Sequence, residues 1–230
     1  KNKERVLLLN DLSPLWISLK TTTISTIIAF ILGIYGARLV MLCNKKLKGI
    51  IDAIFILPMV LPPTVVGFFL LIILGKRGII GSFLYNIGIQ IIFSWSATVV
   101  AATVVCFPII YRTTRGALEQ IDNNVLNVAR TFGMSERRVF WKIAFPIAWP
   151  GILGGIVLGF ARALGEFGAT LMLAGGIPGK TVTMPISIYF LSQGGDMKGA
   201  MIWVLFIVAI SFLSIFFINR LSYKSYEINV

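Results

Sequence analysis

Two opposite charges, Arg162 and Glu166, stand four residues apart inside a long apolar stretch of the sequence. This spacing places both side chains on one face of a helix. Ionisable groups inside a membrane are costly enough to be functional candidates: a guanidinium there could attract a dianion, and a carboxylate could keep it from binding too tightly. A mutual ion pair that serves only packing explains the same spacing, so a translocation path and a structural pair both stay open.

Residue types needed for other chemistry are scarce. The chain has no histidine and two cysteines, Cys43 and Cys106, each alone in an apolar stretch. This leaves no zinc or iron–sulfur spacing and no disulfide framework. A nucleophile would have no histidine base to activate it. We therefore expect no catalytic residue, no metal site and no cofactor.

The composition of the chain is that of a membrane protein. Of its 230 residues, 57% are hydrophobic and 13% are charged, whereas soluble domains carry about 25% charged residues. The net charge of +12 is typical of basic loops that face the cytoplasm or anionic lipid. Nucleic acid is the weaker interpretation of this charge, and we expect no nucleic-acid partner.

Five stretches are long and apolar enough to cross a bilayer, which takes roughly 20 residues of helix. They cover residues 16–42, 50–74, 91–111, 147–173 and 200–218. Since backbone groups in lipid must bond within their own segment, these spans are predicted to be helices. The expected fold is a single all-α, polytopic helix bundle over residues 1–230. A short or re-entrant helix in 76–90 or 182–196 would change the count.

The basic residues predict the orientation of these spans, because cytoplasmic loops carry the excess of Lys and Arg. We expect the N-terminus outside the cell membrane and the C-terminus in the cytoplasm. The apolar run 6–9 is too short for the core of a signal peptide, so the first span is expected to stay in the protein. The cytoplasmic set is Lys45, Lys46, Lys48, Arg112, Arg115, Arg130, Arg137, Arg138, Lys142, Arg220 and Lys224, and the opposite set is Lys1, Lys3, Arg5, Lys76, Arg77, Lys180 and Lys198.

The long cytoplasmic loop 112–146 contains a predicted helix–turn–helix hairpin. Gly133 follows the first helix where a left-handed turn is natural. Ser135 can cap the second helix, which Pro146 is expected to end. One side of the hairpin is too apolar to lie free in water, so the lipid surface or a soluble partner must cover it. Its apolar residues are Val125, Leu126, Val128, Ala129, Phe132, Val139, Phe140 and Ile143.

Residues 126–133, Leu-Asn-Val-Ala-Arg-Thr-Phe-Gly, followed by Ile-Ala-Phe-Pro at 143–146, resemble the cytoplasmic "EAA" loop of ABC-transporter permeases. In that family the loop seats in a cleft of the ATPase subunit and transmits its movement. Asn127 stands where glutamate is usual, so no salt bridge is expected from that position, and Val128 and Phe145 replace an alanine and a leucine. The resemblance implies the coupling residues Leu126, Asn127, Ala129, Gly133, Ile143 and Pro146.

A second segment narrows the resemblance. Residues 159–170, 177–181 and 185–189 are similar to the permeases for tetrahedral oxyanions, most of all those for molybdate, with tungstate and sulfate permeases next. The resemblance covers nearly the whole chain and implies the transmembrane domain of a type I ABC importer.

Small residues recur every four positions in the fourth span. Such residues let helix backbones approach closely, so this span is expected to pack on two sides at the centre of the bundle. The two stripes are Gly151, Gly155 and Gly159 on one side and Ala161, Gly165 and Ala169 on the other.

Prolines and lone charges in the first two spans have simpler interpretations. Pro58, Pro62 and Pro63 predict a kink in the second span, which serves packing or lines a pathway. Structural roles are expected for charges that lie at or reach a membrane interface, namely Lys20, Arg38 and Asp52.

Residues 174–181, Ala-Gly-Gly-Ile-Pro-Gly-Lys-Thr, match a relaxed phosphate-loop pattern. A working phosphate loop needs a strand before it and a helix after it. Here a membrane span precedes the segment, Pro185 disrupts the first turn of a following helix, and charge bias places the loop outside. We expect no nucleotide there, and the loop is instead a candidate contact for a delivery protein.

The resemblance implies a non-enzymatic, membrane-spanning subunit of an ATP-driven importer for molybdate. Two copies would enclose the path, two ATPase subunits would bind the loops, and an extracytoplasmic molybdate-binding protein would deliver the anion. Tungstate and sulfate stay open as substrates. A secondary carrier or channel also explains five spans, but it leaves the half-apolar hairpin without a purpose.

Overall fold

The computed structural model describes residues 11–227, and every regular element among them is helical, which confirms the predicted all-α fold. The basic residues Lys1, Lys3 and Arg5 and the apolar run 6–9 lie outside the described residues, as do the side chains of Lys45, Arg220 and Lys224. The helices are α1 (Ser13–Leu42), α2 (Lys45–Val60), α3 (Pro63–Leu74), α4 (Ile79–Asn86), α5 (Trp95–Glu119), α6 (Asn123–Thr131), α7 (Glu136–Val139), α8 (Phe145–Leu164), α9 (Gly168–Ala174), α10 (Met184–Gln193) and α11 (Met197–Glu227), with a π-helical turn, Phe140–Ala144, between α7 and α8.

Five segments of the described chain are long and apolar enough to cross a membrane, if α2 and α3 count as one. The other four are α1, α5, the continuous helical path Glu136–Leu164 and the segment Met197–Phe216. Helices α4 and α10, with 8 and 10 residues, are too short to cross. The number of spans therefore agrees with the prediction.

The second predicted span is a sharp corner. Helices α2 and α3 are bent by 114° against each other, far more than the expected kink. Leu61 and Pro62 have extended backbone, with ψ of 145° and 137°, because a residue that precedes proline is pushed out of the helical region. Pro58, by contrast, lies inside α2.

Helices α2 and α3 together reach both ends of α5. In the C-terminal half of α5, Tyr111 meets Phe55 of α2 at a ring-centroid distance of 5.1 Å. Near its N-terminus, Ala97 shares a buried apolar cluster with Val66 of α3. The bent pair thus runs along the whole length of the central helix.

The prediction of a single helix over 147–173 is wrong. Helix α8 ends at Leu164, and a break at 165–167 separates it from α9. The helical pattern stops there as Glu166 turns its carboxylate onto the backbone N–H of Ala169, at 2.8 Å. Gly165 is exposed in the break, so it does not form one packing stripe with Ala161 and Ala169.

The prediction that Pro146 ends the second hairpin helix is also wrong. Pro146 lies in the first turn of α8, and helical backbone runs through from Glu136 to Leu164. A proline inside a continuous helix is accommodated where the regular i to i−4 hydrogen bonding is interrupted. The wider π-helical turn Phe140–Ala144 directly precedes it.

Helix α5, not the fourth span, is the centre of the described bundle, and it packs against α1 and α8. One glycine stripe of α8 faces it. A Cβ added at Gly151 would lie 2.7 Å from the Cβ of Ala117, and one at Gly159 would lie 2.5 Å from Ile110. The predicted close packing on this side is confirmed.

Candidate functional site

The hairpin, residues 122–139, has the first helix, the left-handed turn and the second helix that its sequence predicted, but the second helix continues into α8. The Asp122 carboxylate caps α6 by accepting a hydrogen bond from the N–H of Asn124 at 2.8 Å. Gly133 has φ of +76°, which makes the left-handed turn. Ser135 occupies the cap position of α7, although its hydroxyl makes no capping hydrogen bond.

The apolar side chains of the hairpin point in two directions. Ala129 and Val139 are buried, and half-buried Leu126 packs on the core of the bundle. The others face away from the chain, so either lipid or a partner must cover them. These outward residues, called the outer stripe below, are Val125, Val128 and Phe132, with 45%, 55% and 82% of their surface exposed.

The remaining residues of the family resemblance lie on α6, in the turn and in the helical path after α7. Nothing lies within 4 Å of a Cβ added at Gly133, so the turn is open. Asn127 is exposed and accepts a hydrogen bond from Arg130 at 2.8 Å. In the following helical path, Ile143 is half-buried in the π-helical turn and Pro146 is exposed at the start of α8.

An ion pair that the sequence did not reveal closes the hairpin. Arg130 donates to both carboxylate oxygens of Glu136, from Nε to Oε1 at 2.7 Å and from Nη2 to Oε2 at 3.2 Å. The hydrogen bond to Glu136 raises the pKa of the Arg130 guanidinium. This two-point contact links α6 to α7 across the turn. The sequence could have indicated this pair, because opposite charges stand on either side of Gly133.

Arg162 and Glu166 form an ion pair at the end of α8, with Nη1 2.7 Å from Oε2. Glu166 is only 3% exposed, and its other oxygen accepts the N–H of Ala169. Both carboxylate oxygens therefore hold the break between α8 and α9 together. The Arg162 side chain keeps 34% exposure, and its guanidinium has further N–H donors.

The hairpin and this pair are not brought together. Arg162 follows Pro146 by 16 residues, which is about 24 Å of helix at about 1.5 Å per residue. An event at the hairpin can therefore reach the pair only through the helices between them.

A second group of charges, which we call the ionic clamp, joins α2 to α5. Arg115 lies 2.5 Å from Asp52 and 3.0 Å from Glu119. Lys48 binds Glu119 at 2.8 Å, and the Tyr111 hydroxyl donates to Asp52 at 2.7 Å. The sequence assigned Asp52 only an interfacial role, because partners so far apart along the chain are invisible in one sequence.

Lys20 and Arg38, expected to have structural roles, lie over aromatic rings. The Lys20 ammonium is 4.2 Å from the ring centre of Trp95, and the Arg38 guanidinium is 4.7 Å from that of Phe140. Such contacts stabilise a cation without a carboxylate partner.

The segment 174–181 closes on itself. The Thr181 hydroxyl accepts from the N–H of Ile177 at 2.9 Å and donates to the carbonyl of Gly175 at 3.2 Å. Helix α9, not a strand, precedes the segment, so the requirement for a phosphate loop is not met. Within residues 11–227, no three Cys, Asp or Glu side chains form a group that could hold a metal ion.

Residues 29–227 match the family described as inner membrane components of binding-protein-dependent transport systems. A Bacillus subtilis (strain 168) relative, named a putative molybdenum transport system permease protein, is 42% identical over 209 residues, 90% of this chain and 92% of its own. The molybdenum transport system permease protein ModB of Escherichia coli (strain K12) is 43% identical over 192 residues, 82% of this chain and 84% of its own.

A solved structure has the same fold. The MetNI methionine ABC transporter in an inward-facing conformation matches with a TM-score of 0.74 at 19% identity, over 97% of this chain and 98% of that chain. The architecture is that of a type I ABC importer transmembrane domain, as the sequence predicted.

Proposed function

This chain belongs to the family of inner membrane components of binding-protein-dependent transport systems, and we propose that it is the permease subunit of an ATP-driven importer for molybdate. The molybdenum transport names of relatives at 42% and 43% identity support this substrate. ATP hydrolysis belongs to a separate subunit, because the one nucleotide-like segment lacks the required geometry.

The outer stripe is the observation that supports separate roles for this chain and for an ATPase subunit. It presents Val125, Val128 and Phe132 at helical spacing beside the open turn at Gly133. A groove in a soluble ATPase subunit can receive such a helix face. In this arrangement Leu126 and Ala129 hold the hairpin on the bundle. The proposed coupling residues are Leu126, Asn127, Ala129, Gly133, Ile143 and Pro146.

The continuous helical path Glu136–Leu164 supports a mechanical link from the hairpin into the membrane. ATP-driven closure of two ATPase subunits moves the hairpins, and the helices then reopen towards the outside to receive substrate. Hydrolysis returns them to the inward-open state. Residues 112–146 are in this view the coupling loop.

Partners and orientation follow from the same proposal. Five helices alone make a poor conduit, so two copies of the chain enclose the path. An extracytoplasmic molybdate-binding protein delivers the anion. The N-terminus lies outside the bacterial plasma membrane and the C-terminus in the cytoplasm, which agrees with an odd number of spans.

Arg162 and Glu166, at the C-terminal end of α8, have different roles in this proposal. Glu166 is committed to structure by its two hydrogen bonds. Arg162 keeps exposed donors, and we assign it the contact with the anion in the path. A carboxylate so close limits how tightly the anion is held.

Reconstitution tests this function. Proteoliposomes that contain the chain with its ATPase and binding protein should take up molybdate only with ATP, and competition by tungstate and sulfate ranks the three anions. Gly133→Arg should abolish ATPase co-purification and uptake. The matched control is Gly88→Arg, since Gly88 also has positive φ and an open surrounding but lies in the outer loop. Uptake without the ATPase, or ATP hydrolysis by the chain alone, would contradict the proposal.

A further inference from the structure

The ionic clamp lies between the hairpin and the corner of the second span. Arg115 and Glu119 belong to the C-terminal end of α5, and Asp122, the cap of α6, follows closely. Asp52 and Lys48 belong to α2, which ends at the corner. The clamp therefore joins the helix that leads into the hairpin to the helix that leads into the corner.

Arg115 is the centre of the clamp, because it serves two carboxylates at once. Its Nη1 lies 2.5 Å from Asp52 Oδ1, and its Nε donates to Glu119 Oε1 at 3.0 Å. Its Nη1 also donates to the Tyr111 hydroxyl at 3.3 Å. The planar guanidinium fixes these partners in direction as well as distance, which a lysine ammonium does not do. A shift of the last turns of α5 would act directly on Asp52.

Packing already holds α2 against α5 without the clamp. Phe55 meets Phe107 and Tyr111 edge to face, at ring-centroid distances of 5.3 and 5.1 Å. The side chains of the clamp keep between 17% and 39% exposure, and ion pairs with such exposure add little to stability. An ion pair that packing does not need, and that can re-form cheaply, suits a joint that moves.

Beyond the corner, contacts continue to the pair at the end of α8. Helix α3 packs on α9, where a Cβ added at Gly168 would lie 3.1 Å from the Cβ of Pro63. The first turn of α9 is in turn bound by Glu166. Helices α2, α3 and α9 thus form a contiguous path from the clamp to Arg162, of the kind that can carry coupling.

We propose that Arg115 is a positioning residue for transport, which passes movement of the hairpin to the corner of the second span through Asp52. The inference rests on the proposed importer function. When the hairpins move, the end of α5 moves with them, and Arg115 carries α2 along and changes its angle to α3. Without this link only the packing at Phe55 holds α2 to α5, so α2 follows the hairpin less closely and less anion is transported for each ATP hydrolysed.

The ratio of molybdate taken up to ATP hydrolysed, measured in the reconstituted importer, tests the inference. Asp52→Asn removes the charge that pairs with Arg115 but keeps an acceptor for Tyr111. We expect normal ATPase co-purification and hydrolysis, with a ratio lower by about tenfold. Asp196→Asn is the matched control, since asparagine can still accept from the N–H of Gly199, and its ratio should be unchanged.

A second variant separates coupling from folding. Arg115→Lys keeps the positive charge but loses the planar guanidinium that binds two carboxylates at once. Its ratio of molybdate taken up to ATP hydrolysed should therefore lie between those of the unaltered protein and Asp52→Asn. A purely structural clamp would lower the yield of folded complex and leave the ratio constant in whatever folds, which would overturn the inference. Absence of ATP-driven uptake by the unaltered complex would overturn the proposed function first, and the inference with it.

Discussion

Gly67 lies so close to Ala169 that a Cβ added to it would come within 2.8 Å of the Ala169 Cα. This approach brings the backbones of α3 and α9 together, as small residues do between membrane helices. It also sets the direction that the chain takes after the corner at Leu61 and Pro62. The joint between α3 and α9 therefore fixes where the second span ends relative to the break at Glu166.

Gly67→Ala should destabilise the protein by about 1–3 kcal/mol, because the new methyl meets the backbone of Ala169 and the Cβ of Met172, which no side-chain rotation can move away. Thermal unfolding in detergent measures the loss. Gly154→Ala is the matched control, since nothing lies within 4 Å of its added Cβ, and it should be neutral or stabilising. Equal melting temperatures for both variants would contradict this packing.

Glu166→Ala should destabilise the protein by about 3 kcal/mol, because it leaves Arg162 and the N–H of Ala169 without their shared acceptor. Glu166→Gln should cost less, since its amide oxygen can still accept from Ala169. Thermal unfolding of the two variants in the same detergent checks the order. Equal losses of stability for Glu166→Gln and Glu166→Ala would contradict a stabilising role for the hydrogen bond from the N–H of Ala169.

Phe132→Ala should weaken ATPase binding by about tenfold, which is about 1.4 kcal/mol, since an apolar anchor in an interface carries energy of this size. Its melting temperature should not change, because the side chain is 82% exposed. Ile79→Ala removes a side chain that is 89% exposed in α4 and should bind the ATPase normally. Titration of the ATPase subunit onto each variant gives the dissociation constants, and equal constants would refute this role for Phe132.

Local features of the hairpin followed from the sequence, because each depends on residues close together in the chain. A glycine at the end of a short helix favours a left-handed turn, and Gly133 makes one. The number of spans was predictable for a similar reason, since hydropathy over roughly 20 residues marks a crossing. The outer stripe was predicted only as part of one apolar face, because its separation from Leu126 and Ala129 depends on how the hairpin lies on the bundle.

Features that depend on distant contacts did not follow from the sequence. Prolines at 62 and 63 mark a break, but the angle of 114° depends on packing between α3 and α9. Apolar residues continue on both sides of 165–167, so hydropathy alone does not reveal the break, which depends on the bond between Glu166 and Ala169. The pairing of Asp52 with Arg115 joins two separate spans, and periodicity within either one cannot reveal it.

Crosslinking from position 132 tests most directly whether the outer stripe docks on an ATPase subunit. A photoreactive phenylalanine analogue replaces Phe132 in cells that make the complete importer, and mass spectrometry identifies what it captures. A second analogue at position 79, in α4 between the second and third spans, is the control. The account predicts a covalent adduct between position 132 and the ATPase subunit, with none from position 79. Adducts of position 132 with phospholipid alone would contradict it.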